Sequence, residues 1–130
     1  MQTTELGEND STIIIRTNKN QYFTNETINV SVTNKLDLPV NYFKCDNVDL
    51  SPVQVLQFSN GGWIEKEIPY LCTAMGSSGY FGVLNVKQAK NNSVSLPNMN
   101  GLIKLQFKFR LGEYYITYYS NEFTIKGGEN

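Results

Sequence analysis

Two cysteines are the side chains of this sequence best suited to chemistry. Cys45 and Cys72 are the only thiols among 130 residues, and histidine is absent. The chain therefore lacks the commonest general base and the commonest metal ligand, and a serine or cysteine nucleophile has no imidazole to activate it. A zinc site would need two carboxylates besides the two thiolates, which is an uncommon set. The sequence predicts no metal, no cofactor and no enzyme activity.

The same two cysteines are candidates for a disulfide. They flank a predicted hairpin, and an even count in a domain without a cytosolic signature favours a bridge between Cys45 and Cys72, with two buried free thiols as the alternative. Closing a loop of about 28 residues would contribute about 3.5 kcal/mol in the chain-entropy model. A persistent bridge implies an oxidising compartment.

Other chemical motifs have ordinary explanations. Glu65 and Glu67 are spaced like a carboxylate pair, but they alternate with apolar residues as on the solvated face of a strand. The glycine-rich segment 75–82 lacks the lysine and the following serine or threonine of a phosphate-binding loop. As a surface loop, it makes Tyr80 and Phe81 candidates for an aromatic contact with a partner.

A basic ladder is the clearest candidate for a binding surface. Lys104, Lys108 and Arg110 occupy the polar positions of one alternating segment, and the tyrosine-rich last segment supplies Tyr115 and Tyr119. Such residues usually form the wet outer face of a sheet, where a cation stacks on a ring. The sharper hypothesis is a flat surface that docks a protein or a glycan.

Composition limits the partners and the domain count. With 11 basic and 12 acidic side chains the formal net charge is -1, which removes the electrostatic attraction on which non-specific nucleic-acid binding depends. No apolar run approaches the roughly 18 to 20 residues of a membrane span, and the N-terminus does not resemble a signal segment. The length fits one domain, which we place at residues 12–126 between a disordered N-terminal tail at 1–11 and a C-terminal tail at 127–130.

Short segments rich in Val, Ile, Thr, Tyr and Phe predict an all-β fold. Asn60, Gly61 and Gly62 favour a tight hairpin between two of these segments. A sandwich of two antiparallel sheets with seven or eight strands follows from the alternation of apolar and polar residues. The long last segment could pair edge to edge, so we expect a monomer or a weak dimer. The predicted strands are residues 12–17, 26–33, 40–45, 53–59, 63–68, 93–96, 102–110 and 114–126.

Several short motifs follow one another along residues 12–126. They are Tyr22 followed by Ile28-Asn-Val-Ser-Val-Thr-Asn34, then Pro39-Val40 with Cys45, Gly61-Gly-Trp63 with Cys72, Gly101-Leu-Ile-Lys-Leu105, and Ser120-Asn-Glu-Phe-Thr-Ile125. In this order they resemble the bacterial Ig-like β-sandwich domains of secreted or lipid-anchored envelope proteins. The sequence departs from that family where Gly-x-Tyr-Arg is usual, because it has Ile103 and Lys104 in place of the Tyr and the Arg. The resemblance implies an Ig-like fold and an extracytoplasmic setting, whether secreted, periplasmic or anchored as a lipoprotein at the cell surface.

These observations predict a non-catalytic binding or structural module, for adhesion or as an accessory domain, whose partner is a protein or a glycan at a bacterial cell surface. The alternative is an Ig-like protease inhibitor that inserts loops from one end of the sandwich into an enzyme. Its candidate loops are residues 34–39 and 75–82. The Asn-Pro-Thr-Thr-Gly type of signature found in cysteine-protease inhibitors is absent.

Overall fold

The computed structural model describes residues 12–42, 44–45, 48–66 and 82–127, with the backbone alone at 44, 45, 48 and 49. These residues form β-strands and no helix, which confirms the all-β prediction. The strands are β1 Ile13–Thr17, β2 Gln21–Phe23, β3 Ile28–Asn34, β4 Val40–Tyr42, β5 Lys44–Cys45, β6 Val48–Asp49, β7 Gln54–Ser59, β8 Gly62–Lys66, β9 Gly82–Leu84, β10 Ala89–Val94, β11 Gly101–Leu111, β12 Tyr114–Tyr119 and β13 Phe123–Lys126.

The strands build two sheets that pack face to face, and β5 with β6 forms a separate short ladder. The smaller sheet has the order β1-β3-β10. The larger sheet is organised around β11, which pairs with β13 and β12 along one side and with β7 and β4 along the other. All of these pairings are antiparallel, whereas β2 joins β13 in parallel. The predicted Ig-like sandwich is thus the observed architecture.

The core lies between the two sheets because each has one apolar face. On β3, Ile28, Val30 and Val32 are buried, while Asn29 is exposed and Ser31 half-buried. On β11 the buried residues likewise alternate with polar ones, and Ile103, Leu105, Phe107 and Phe109 join the β3 residues in a single cluster. Fully burying one such side chain stabilises the fold by about 1.5–3 kcal/mol.

Several strand boundaries differ from the prediction. Within the predicted strand 40–45 the described residues belong to two strands, Val40–Tyr42 and Lys44–Cys45, and the strand predicted at 93–96 is instead Ala89–Val94. The three-residue strands Gln21–Phe23 and Gly82–Leu84 were not predicted, because a strand of three residues offers too few positions for a period of two to be recognised. The described residues alone form thirteen strands, more than the predicted seven or eight.

The predicted last strand, residues 114–126, is two strands separated by residues 120–122, beginning at Ser120. There the chain turns toward the smaller sheet, and Ser120 forms an isolated parallel bridge with Ile15. The expectation that this whole segment is one exposed edge is wrong for Phe123–Lys126, since that strand lies between β11 and β2. Among the described strands, Tyr114–Tyr119 pairs with β11 alone.

The described strands extend from Ile13 to Lys126, within the predicted domain. The predicted N-terminal tail and residues 128–130 of the predicted C-terminal tail lie outside the described residues. In the part of the chain that is described, no helix is long and apolar enough to cross a membrane.

Candidate functional site

The outward face of β11 carries the cations of the predicted basic ladder. Lys104, Lys108 and Arg110 alternate with core residues and therefore lie on the face that points away from the core. The antiparallel register puts Lys108 opposite Thr117 and Arg110 opposite Tyr115 on β12. The structure thus brings the basic ladder and the tyrosines singled out from the sequence onto one face of the larger sheet.

Lys104 lies between two aromatic rings. Its Nζ is 4.4 Å from the centroid of the Trp63 ring and 4.6 Å from that of Tyr119. Each such contact contributes about 0.5–1 kcal/mol at an exposed site. The ammonium group therefore lies over one face of each ring.

The hairpin of β7 and β8 positions Trp63. Asn60 and Gly61 have φ angles of 52° and 85°, the left-handed pair that a two-residue type I′ turn requires. This turn sets the register in which Phe58 lies opposite Trp63, and their rings meet edge to face with centroids 5.3 Å apart. Since β7 also pairs with β11, with Leu56 opposite Lys104, the hairpin brings Trp63 beside the basic ladder.

Hydrogen bonds orient the side chains around these rings. Gln106 donates from Nε2 to the Tyr119 hydroxyl at 3.3 Å, and Arg110 donates from Nε to the carbonyl of Gly112 at 3.0 Å. Within β7, β8, β11 and β12 the face has three cations, those of β11, and one carboxylate, that of Glu65. This face is therefore locally basic on a chain whose net charge is -1.

We call this region the aromatic-basic surface. Its rings are accessible, with 61% of Tyr115, 45% of Tyr119 and 43% of Phe58 exposed. An exposed group of large aromatic side chains with cations has the composition of a protein-binding hot spot. The surface comprises Phe58, Trp63, Lys104, Lys108, Arg110, Tyr115 and Tyr119.

Sequence reasoning missed Phe58 and Trp63 as members of this surface. The two-residue turn that pairs them was readable from Asn60-Gly61-Gly62, but the pairing of β7 with β11 joins segments far apart in the chain. The tyrosines of β12 also divide between two roles. Tyr118 points inward and packs edge to face on Phe109, with ring centroids 6.2 Å apart.

Three of the predicted site residues, Cys72, Tyr80 and Phe81, lie outside the described residues, and Cys45 is described by its backbone in β5 alone. The predicted disulfide thus stays a prediction. In the described part of the chain, no three His, Cys, Asp or Glu side chains come together as a metal site would require.

No protein-family model and no curated protein matches this sequence. Among solved structures, the fold is similar to the crystal structure of Spo0M, a sporulation control protein from Bacillus subtilis, with 12% identity and a TM-score of 0.46 over 88% of this chain and 48% of that one. This chain therefore spans about half the length of that protein. It is also similar to the ASH / PapD-like domain 7 of human CEP192, with 11% identity and a TM-score of 0.44 over 100% of this chain and 94% of that one.

Proposed function

We propose that this chain is a non-catalytic binding module that docks a protein partner on the aromatic-basic surface. The observation that carries the proposal is Lys104 held between Trp63 and Tyr119 on an exposed sheet face. Aromatic residues and arginine are enriched among the side chains that dominate protein interfaces. The absence of histidine from the whole sequence supports the non-catalytic part of the proposal.

The position of Lys104 favours a protein over a glycan. A sugar ring stacks on an open aromatic face, but the ammonium group of Lys104 already covers one face of Trp63 and one of Tyr119. The rings therefore present their edges and outer faces as separate ridges. A partner that binds here would place its side chains around the rings of Trp63 and Tyr119. One of its carboxylates would contact the ammonium group of Lys104 between them.

The charge of the surface indicates the charge of the partner. Lys108 and Arg110 extend the cationic row beyond Lys104, and Glu65 is the one carboxylate that β7, β8, β11 and β12 place on this face. An acidic partner surface would be attracted to it over about 10 Å at moderate ionic strength. The association rate should therefore fall as salt is added, while the dissociation rate changes less.

We further propose an extracytoplasmic setting, secreted, periplasmic or anchored at a bacterial cell surface, in an adhesive or accessory role. Two sequence features support it: the pair of cysteines with no other thiol, and the resemblance to Ig-like envelope domains. The partner is accordingly sought among exported proteins.

Site-specific photocrosslinking tests the docking surface directly. A photoreactive phenylalanine analogue at Thr117, at the middle of β12 and opposite Lys108, would be crosslinked on intact cells of the source organism. The matched control carries the analogue at Thr33, on the outer face of the smaller sheet. We expect a discrete protein adduct from position 117 alone, removed by protease and unaffected by glycosidase. An adduct that glycosidase removes indicates a glycan, and identical patterns from both positions contradict the proposal.

Binding of the purified partner can then be measured through Trp63, since it is the chain's only tryptophan and lies in the surface. We expect Lys104→Met and Arg110→Ala to weaken binding about tenfold or more each, a loss of about 1.4 kcal/mol. Thr33→Val should leave the affinity unchanged. Equal affinities for all three variants would overturn the assignment of the surface.

A rigid loop at one end of the sandwich favours protease inhibition as a second candidate function. The fully buried Asn34 donates from Nδ2 to the carbonyls of Leu38 and Leu84, both at 3.0 Å, and its Oδ1 accepts from the amide of Leu36 at 2.8 Å. These bonds fix residues 34–39 against the neighbouring segment. Leu38 lies within this loop with 57% of its surface exposed.

This second candidate is tested with one protease from each of the cysteine, serine, aspartic and metal classes at micromolar concentrations of the chain. An inhibitor of this kind would slow one class, and Leu38→Asp would abolish the inhibition by placing a charge where an apolar pocket is filled. Leu36→Val, which alters the half-buried side of the same loop, is the control. No inhibition of any class, or equal inhibition by Leu38→Asp, would remove the candidate.

A further inference from the structure

The outer face of the smaller sheet contains a polar groove on the side of the molecule opposite the aromatic-basic surface. It encloses about 440 Å³, within the range of about 300–1,000 Å³ that is usual for ligand sites. Among its lining residues that the structure describes are one cation, amides and hydroxyls, and no carboxylate. Six of them project from the three strands or their ends: Arg16, Asn18, Asn29, Ser31, Asn91 and Ser93.

The strand register arranges these side chains in two rows across the sheet. Ser31 is the centre of the first row, opposite Arg16 on one neighbouring strand and Asn91 on the other. Asn29 is the centre of the second row, opposite Ser93, and its carbonyl accepts a 2.9 Å hydrogen bond from the amide of Asn18. With strands about 4.8 Å apart and about 3.3 Å per residue, the two rows cover a field of about 10 by 7 Å, which fits one or two sugar rings.

Much of the hydrogen-bonding capacity of the groove is unused. Asn29 accepts from the Ser93 hydroxyl at 3.0 Å through Oδ1, which leaves its NH₂ group without a partner in the described part of the chain. The side chains of Ser31 and Asn91 likewise make no hydrogen bond to any described residue. Together these groups offer donors and acceptors side by side, which is what a ligand rich in hydroxyl groups requires.

Two asparagines lie inside strands of this face. Asparagine is depleted in strands, where threonine is the better strand former. Asn29 nevertheless lies inside β3 and Asn91 inside β10. They place two primary amides, each able to donate and to accept hydrogen bonds, on adjacent strands of the groove.

The charge of the groove defines the ligand class. Without a carboxylate among the described lining residues the groove holds no negative charge that would attract a cation, and Arg16 already interacts with another group of the protein. A neutral molecule rich in hydroxyl groups is the chemistry that remains. We propose that the groove between the rows centred on Ser31 and Asn29 binds a neutral oligosaccharide, making this chain a saccharide-binding module on its smaller sheet.

The test is a titration of the ¹⁵N-labelled chain with malto-, cello-, xylo-, manno- and chito-hexaose, followed by amide chemical shifts. We expect one of these sugars to shift the amides of Ser31, Asn91 and Ser93 and to leave the Trp63 indole unchanged, because Trp63 lies on the other sheet. If none of the sugars shifts these amides at millimolar concentration, the proposal is overturned. It is also overturned if the shifts centre on Trp63 and Tyr119, since the glycan would then occupy the aromatic-basic surface.

Variants of the groove supply the second arm. Asn91→Ala and Ser31→Ala should each lower the affinity for the sugar about tenfold. Asn91→Thr should lower the affinity equally while keeping the fold, because threonine favours the strand. Thr33→Val is the matched control on β3, because Thr33 lies beside the groove without lining it. Equal affinities for Asn91→Thr and Thr33→Val would refute the site. Since the protein-docking proposal uses the opposite sheet, either proposal can fail without the other.

Discussion

The hydroxyl of Ser120 takes the place of a backbone carbonyl in the ladder beside Leu105. Ser120 Oγ accepts the amide of Leu105 at 2.9 Å, and the amide of Ser120 donates to the carbonyl of Leu105 at 2.9 Å. The side chain thereby satisfies a buried donor at the point where the chain leaves β12. Since Leu105 is fully buried, water cannot replace this hydrogen bond.

Ser120→Ala should therefore destabilise the fold by about 1–3 kcal/mol, the cost of leaving a buried amide without an acceptor. Urea unfolding followed by Trp63 fluorescence measures the effect. Ser93→Ala is the control, because the Ser93 hydroxyl is exposed and bonds to a side chain. A free energy of unfolding that is the same in both variants would contradict the role assigned to Ser120.

Gly82 is required by its neighbour in β4. It lies opposite Tyr42, whose buried ring covers it so closely that a Cβ at this position would overlap the ring. Gly82→Ala should cost about 1–3 kcal/mol or more, because the ring has to leave its place in the core. Gly62→Ala is the matched control, since a Cβ there meets no atom within 4 Å. Similar thermal unfolding midpoints for the two variants would show that Tyr42 moves at little cost.

The sequence predicted the parts of this fold that depend on local pattern. The strict alternation of Ile103, Leu105, Phe107 and Phe109 identified a strand and its buried face, and Asn60 with Gly61 identified a hairpin. The same alternation placed Lys104, Lys108 and Arg110 on one outward face, so this half of the candidate surface was accessible to sequence reasoning. These features follow from a period of two and from a turn that needs positive φ angles.

The remainder depends on contacts between distant segments. The polar run Ser120-Asn121-Glu122 is the local signal of the break between β12 and β13, whereas the hydrogen bond of the Ser120 hydroxyl with Leu105 joins residues 15 apart in the chain. Trp63 joins Lys104 only because β7 pairs with β11. The polar groove was missed for a related reason, because its side chains belong to segments far apart in the chain and come together only when β1, β3 and β10 align.

An acid-sensitive contact ties β2 to the start of β3. Lys19 pairs with the carboxylate of Glu26, and the amide of Phe23 donates to Glu26 Oε1 at 2.9 Å. The hydrogen bond from Lys19, followed by that from Phe23, lowers the pKa of Glu26 below its ordinary value. A lowered carboxyl pKa gives a stabilisation that is complete above the unfolded-state pKa, near 4.3, and is lost as the pH falls through the folded-state pKa.

The free energy of unfolding of Glu26→Gln should therefore be lower than that of the parent chain by a constant amount from neutral pH to about pH 5. At lower pH the two free energies should converge, because Glu26 is then protonated in the parent chain. The difference is expected to be small, since the pair is exposed and salt screens it. Thermal unfolding across this pH range measures it, with Glu122→Gln, whose carboxylate has no ion-pair partner in the described residues, as the control. A difference that stays constant to pH 2 would show that the contact does not titrate.

The predicted bridge between Cys45 and Cys72 connects the stability of the chain to its proposed setting. If it forms, alkylation of the unfolded chain adds two labels only after reduction, as read from the intact mass, because a disulfide has no thiolate to react. Replacing both cysteines by serine would then cost about 3.5 kcal/mol, by restoring the freedom of a loop of about 28 residues in the unfolded chain. Ser93→Ala serves again as the control for the loss of stability. If two labels are added without reduction, on protein made under oxidising conditions, the bridge is absent. The cysteines would then no longer support the extracytoplasmic proposal, whereas the observations that support the two binding surfaces would be unaffected.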